Sequence, residues 1–341
     1  MFENDTKNQH FVTQAEQRLN AANPEADDKN QRIYSFKLVD RENYVLVLEK
    51  PDGNRISKNL SASDIFSFDV AGDSDKRFNF EALFQKYEGH VATHTSNLLD
   101  KLKANNKDIK TEIIDLFSAK LLNFVRNPFS VVKIINTFRG LAAHDPTNPE
   151  LLRMYRRIVD GRKPHQAHRC SELGISNAQY LEWLRILFML LMPLENGQLN
   201  FFDQIIRKLF EDRDNHVAVW VCEYDRESCL LPDRGYSQPL PNGPHMAFSF
   251  NLRRNAFITY FFADPRTLLD GKVHPEFLDK VLADRKTLPF KQIDVQFMRN
   301  NRELLAIYNG HVVYQCHERV FCAAKDGLVL TQARREGPLC N

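Results

Sequence analysis

Along this chain the spacing of apolar residues changes character three times. Arg32–Val39 and Tyr44–Glu49 are dense in β-branched and aromatic side chains, the composition of strands. Asp52-Gly53 is a turn signal ahead of a third short run at Arg55–Ser57, so the spacing predicts an antiparallel meander. The polar residues 1–30 predict a helix of modest length followed by a loop. From Phe78 the period is helical. Phe80, Phe84, Tyr87, Val91, His94 and Leu98 recur in steps of four and three and share one face. Ile113, Phe117, Leu121 and Phe124 repeat the pattern up to Asn127-Pro128, where the proline steers the residue before it out of helix. Further helices are predicted at about 129–139, 149–159, 172–191 and 199–211.

Strand character returns at His216–Glu223. There Val217, Val219 and Val221 alternate with Ala218, Trp220 and Cys222, so both faces are apolar and an interior strand is predicted. A turn-rich segment runs from Pro232 to Pro244. After it come strands at Met246–Phe250 and Ala256–Phe262, a helix at about 275–284, a longer helix from Ile293 to about Tyr308, and a last strand at Arg319–Ala323. Strands flanking a helical middle predict an α+β fold in which early and late strands can share one mostly antiparallel sheet. The matching division is a β-rich segment 1–75, a helical region 76–214 and an α+β region 215–341, or all three as one integrated domain.

Composition adds compartment. The chain has 341 residues, 43% of them hydrophobic, enough for a sizeable core. Its start, MFENDTKNQH, has acidic and amide residues where a secretory signal needs a basic start followed by an apolar run. The apolar run Ile186–Leu194 is far shorter than the roughly 20 residues of a membrane-spanning helix. Six scattered cysteines form no disulfide framework, and neither Cys222/Cys229 nor Cys316/Cys322 has zinc-ribbon spacing. The expectation is a cytoplasmic protein with reduced thiols.

The near-neutral net charge of +2 hides a strong asymmetry. Residues 1–75 hold nine basic and fourteen acidic side chains, whereas residues 120–169 hold ten basic and three acidic. The densest part is Arg153, Arg156 and Arg157, followed after Gly161 by Arg162 and Lys163. Arginine forks suit phosphate oxygens, which predicts a surface for nucleic acid or a phosphorylated ligand. The same charges can instead pair with the acidic amino-terminal part or steer an acidic protein partner.

Candidate chemistry is sparse. The chain has no Gly-x-Ser-x-Gly elbow, no phosphate loop and no dinucleotide glycine fingerprint. Gln9-His10 precedes the first strong periodicity, so His10 can carry a proton and Gln9 orient a substrate, or His10 can pack on Phe11 and anchor the terminus. Arg126, at a helix end, can grip a phosphate or carboxylate and stabilise developing negative charge, or cap the helix carbonyls. Asn301 falls on the apolar face of Ile293, Phe297, Leu304 and Tyr308, where a buried amide either orients a catalytic group or joins a structural network. His90 and His94 have the spacing of a metal pair but lie on a core face, and Glu81 and Glu88 are seven apart on the same helix. His165, His168 and Cys170 place three soft ligands within six residues, or belong to a basic surface loop. No metal is assigned and no cofactor is identified.

Four places carry a resemblance: Gln9-His10-Phe11-Val12 with the following strands and the helix of Phe80, Tyr87 and Glu88; Ser61-Ala62-Ser63-Asp64-Ile65-Phe66; Arg126-Asn127-Pro128; and the late helix with Asn301. In these the chain resembles an uncharacterised bacterial domain-of-unknown-function family whose members begin Gln-His-(Tyr/Phe)-Val-Pro-Gln. It departs from the family at Thr13, where proline is usual, and lacks a Ser-Asp-Asn-Pro segment near Glu223–Ser228. The resemblance implies a bacterial or phage-related origin and a place in anti-phage defence. The protein would act there as a nuclease or other hydrolase, or as a non-enzymatic sensor or scaffold for a partner from a neighbouring gene.

Overall fold

The computed structural model describes residues 2–70, 76–193, 198–240, 245–269, 271–287 and 291–330. The chain begins with β1 (Asn8–His10), α1 (Gln14–Arg18), β2 (Arg32–Asp40), β3 (Val45–Leu48) and β4 (Asn54–Arg55). It continues through β5 (Ser61–Ser63), β6 (Ser67–Val70), β7 (Arg77–Asn79), α2 (Glu81–Glu88), α3 (Val91–Lys103), α4 (Lys110–Arg126) and α5 (Val131–Ala142). Then come α6 (Pro149–Asp160), α7 (Gln166–Leu173), α8 (Asn177–Leu191) and α9 (Phe201–Glu211). The last third holds β8 (His216–Glu223), β9 (Leu231–Pro232), β10 (Met246–Arg253), β11 (Ala256–Ala263), α10 (Pro265–Leu269), α11 (Pro275–Thr287), β12 (Asp294–Arg299), α12 (Arg302–Gln315) and β13 (Arg319–Cys322). The fold is α+β, with helices in the middle and strands toward both ends. Among the described residues no helix is long and apolar enough to cross a membrane.

Contacts divide the chain into two units that do not follow the linear three-part order. One is Met1–Ala15 with Lys58–Lys208, the other Glu16–Ser57 with Leu209–Asn341. In the first, mainly helical unit, β1 pairs antiparallel with β5 and β6 with β7. Its core is aromatic: Phe66 meets Phe84 at 4.9 Å between ring centroids, Phe68 meets Phe80 at 5.1 Å, and Trp183 stands 5.8 Å from Phe66. The polar tips are satisfied as buried aromatic groups require, Trp183 Nε1 donating to the Val125 carbonyl and Tyr180 Oη to that of Ile65. Helix α8 starts at a Ser176/Gln179 capping box and is buried from Ile186 to Leu191, as its continuous apolar run predicts. The helical run from Phe78 is not one helix. It breaks between α2 and α3 at Gly89-His90, glycine being a weak helix residue.

In the second unit the five-stranded sheet has the order β3-β2-β13-β9, with β4 beside β2. Tyr34–Lys37 of β2 lies antiparallel to Arg319–Cys322, so early and late strands do share a sheet. They do not form a single one, because β10-β11-β8-β12 is a separate four-stranded sheet. As predicted, β8 is interior, antiparallel to β11 and parallel to β12. Two expectations are corrected. Asp52-Gly53 is not the turn of a meander: β4 pairs with β2, Asn54 opposite Ile33, so the second arm of the hairpin resumes along the same strand. Gly53 permits that bend with φ +71°, and a Cβ there would lie 2.9 Å from the Ile33 carbonyl oxygen. The helix predicted from Ile293 to Tyr308 is instead strand β12, a left-handed Asn300 (φ 56°) and helix α12. Pairing with β8, which sets Val295 opposite Val219 and Phe297 opposite Val221, overrides the local helical spacing.

The core of this unit gathers Phe36, Tyr224, Leu230, Phe257, Leu305, Tyr308, Val312 and Val313 with Cys222, Cys229, Cys316 and Cys322. Phe257 and Tyr308 stack with centroids 4.2 Å apart. Burial pushes the Cys222 and Cys316 thiols up to about 12, which keeps them protonated and unreactive. Cys340 lies outside the described residues.

Candidate phosphate-binding face

Helix α6 carries the densest basic run. Asn148 caps its start, accepting from the Glu150 and Leu151 amides, with Pro149 in the first turn. Tyr155 and Ile158 form its buried side. The five predicted phosphate ligands divide into two groups. Arg157 is engaged within the unit: Nε and Nη2 reach Asp69 Oδ2 at 3.1 and 2.9 Å, and its guanidinium lies 3.7 Å from the Phe78 ring centroid. Lys163 turns Nζ onto the Gly161 carbonyl at 2.8 Å, and burial lowers its pKa. Arg153, Arg156 and the Arg162 side chain are exposed, with no acid paired to them among the described residues. Asp160 is exposed on the same helix and reduces the local excess.

The end of α6 is held against β6 by a close approach. The Arg162 carbonyl accepts from the Val70 amide at 2.9 Å, and a Cβ on Gly161 would collide with the Phe68 carbonyl and stand 2.7 Å from the Asp69 Cβ. Charge counting also includes Lys120 and Arg126, which are both only 1% exposed and add nothing to a surface.

Beside α6, helices α5 and α8 complete a cleft of about 400 Å³, lined by Arg139, Ala142, Ala143, Val159, Ala178, Leu181, Glu182 and Arg185. Its α5 wall follows a kink at Phe138 (φ −118°, ψ 19°). Arg185 is braced by the Tyr155 hydroxyl and by Asp145 at 3.4 Å. Arg139 is exposed and Glu182 half-buried, and neither has a partner among the described residues. No local pattern in the sequence brings these residues together. Glu182 and Arg185 are the two charged residues of α8, one turn apart ahead of its apolar run.

The other expected site residues have their own surroundings. Gln9 is fully buried. Its Oε1 accepts from the Phe66 amide at 2.6 Å and its Nε2 donates to Ser67 Oγ and the Thr6 carbonyl. His10 ends β1, opposite Ser61. Arg126 contacts Glu88, donates from Nη2 to Asn123 Oδ1 at 2.9 Å and lies 5.0 Å from the Phe84 ring centroid. Asn301 belongs to the other unit, where its side chain caps α12 by accepting from the Leu304 amide. The buried amide of that helix is Asn309, which accepts from the Leu230 amide and donates to the Ser228 and Val329 carbonyls.

Near Arg126, burial raises the Glu81 carboxyl to about 7, with the Arg126 cation opposing the rise and Glu88 adding to it. His94 Nε2 stands 3.4 Å from Asp115, and its ring meets that of His90 edge-on. His168 and Arg169 both pair with Glu172 on α7, whereas Cys170 is buried. Among the described residues no three His, Cys, Asp or Glu side chains converge as a metal site would require. No protein-family model, curated protein or solved structure matches the chain.

Proposed function

We propose that the helical unit binds nucleic acid through its phosphate backbone, on the outward side of α6 and the turn that follows. The observation that carries this reading is the division of the basic run. Arg157 and Lys163 are committed to the fold, whereas the exposed Arg153, Arg156 and Arg162 side chains have no acidic partner among the described residues. The reading is one of binding. Gln9, Arg126 and Asn301, each held by its own hydrogen bonds, lend no support to a hydrolytic step.

The test is fluorescence anisotropy with a random single-stranded oligonucleotide, titrated with salt. Each phosphate contact on a single strand adds about −0.7 to the slope of log K against log salt. The triple variant R153A/R156A/R162A is expected to make that slope shallower by about 2. No binding at about 50 mM salt, or a slope unchanged in the triple variant, would refute the reading.

One observation favours a protein partner instead. Val39, Val45 and Val47 are 43–56% exposed along β2 and the edge strand β3. An apolar edge of this kind can accept a strand from another protein. Retained partner binding in a Val47→Lys variant would exclude that mode.

A further inference from the structure

We propose that the cleft between α5, α6 and α8 holds a single nucleotide whose base carries an amino group. The base would lie on the alanine floor and the phosphate at the arginine rim. Three features of the lining have to be met by one ligand. Ala142, Ala143 and Ala178 present methyl groups, with Leu181 and Val159 beside them, which makes a shallow apolar bed for a flat ring. Arg139 supplies a positive charge with no acid paired to it among the described residues, and Arg185, whose charge Asp145 partly offsets at 3.4 Å, supplies a guanidinium already oriented by Tyr155 and Asp145. A braced guanidinium loses little freedom when it grips an anion.

Glu182 decides the class. Its carboxylate is an acceptor only, lies one turn from Arg185 on α8 and has no donor among the described residues. A bare phosphate would be repelled by it, and a fatty acid would offer it no N–H. A nucleotide satisfies all three features at once. Guanine fits best, because its N1–H and amino N–H lie side by side and can serve both carboxylate oxygens. The cleft's 400 Å³ falls within the roughly 300–1,000 Å³ of small-molecule sites. The inference rests on the phosphate-binding reading for the anion, but it uses other residues, since Arg153, Arg156 and Arg162 do not line the cleft.

Calorimetry on the full chain tests it with guanosine monophosphate, inosine monophosphate, which lacks only the amino group, and inorganic phosphate. Guanosine monophosphate is expected to bind about tenfold tighter than the inosine form, as for a good bidentate base contact. Glu182→Ala should erase that preference. Ala143→Phe fills the cleft from an exposed position and should weaken both nucleotides about tenfold with an unchanged Tm. Equal affinity for the two nucleotides, inorganic phosphate binding as tightly as either, a preference that survives Glu182→Ala, or affinity untouched by Ala143→Phe overturns the proposal. The R153A/R156A/R162A variant separates it from the backbone reading. Mononucleotide binding without oligonucleotide binding defeats the backbone reading alone, and oligonucleotide binding without mononucleotide binding defeats the cleft alone.

Discussion

Replacing Glu81 by glutamine is expected to stabilise the protein at pH 8 and leave it unchanged near pH 4.5. Glu81 opens α2 and lies on the side of that helix that also presents Phe84 and Glu88, near the buried guanidinium of Arg126. Its Oε1 is buried without a hydrogen-bond partner among the described residues. Burial raises the carboxyl from 4.5 to about 7, against the pull of Arg126. Because the folded value lies above the unfolded one, the folded chain holds this proton more tightly. Stability is therefore fully present below about pH 4.5, falls by about 1.4 kcal/mol per pH unit, and stops falling above about pH 7. The total is at most about 3 kcal/mol. Glutamine has the same shape and no charge at any of these pH values, so the variant avoids the loss. Urea unfolding at pH 4.5, 6, 7 and 8 reads the difference directly. It should grow from near zero to about 3 kcal/mol in favour of Glu81→Gln. A difference that stays constant across the range would mean that Glu81 is solvated when charged, and the reasoning fails. Glu88→Gln is the control of opposite sign, since it strips a carboxylate from buried Arg126 and should cost about 3 kcal/mol at pH 8.

Three further outcomes follow from individual contacts. Gln9→Ala removes the acceptor of the Phe66 amide and should cost about 2 kcal/mol in urea unfolding; an unchanged midpoint would remove Gln9 from the fold's framework. Asn309→Leu leaves the Leu230 amide and two carbonyls unpaired and should cost about 3 kcal/mol, whereas Asn301→Ala removes only a helix cap and should cost about 1 kcal/mol; equal effects in thermal melts would contradict this ranking. Gly161→Ala forces α6 away from β6 and should cost about 1–3 kcal/mol while raising amide exchange at Val70; unaltered exchange would show that the contact yields easily.

What could be read in advance depended on whether the cause of a feature is local. Helix α8 and strand β8 were legible because each carries its burial pattern within its own residues. Asp294–Arg299 was not, since it is a strand only by virtue of lying beside β8. That one misreading displaced the chemistry as well. With the helix starting at Ile293, Asn301 falls inside its apolar face; with the helix starting at Arg302, Asn301 becomes the cap and Asn309, two turns on, becomes the buried amide. The basic run is divided by the same kind of distant cause. Arg153 and Arg157 are alike in a sequence window, and what separates them is Asp69, 88 residues before Arg157. Composition could therefore locate the arginines of the candidate face. Which of their side chains remain available to a phosphate is decided by partners far along the chain, and among the described residues Arg153, Arg156 and Arg162 are the three whose side chains have no acid paired to them.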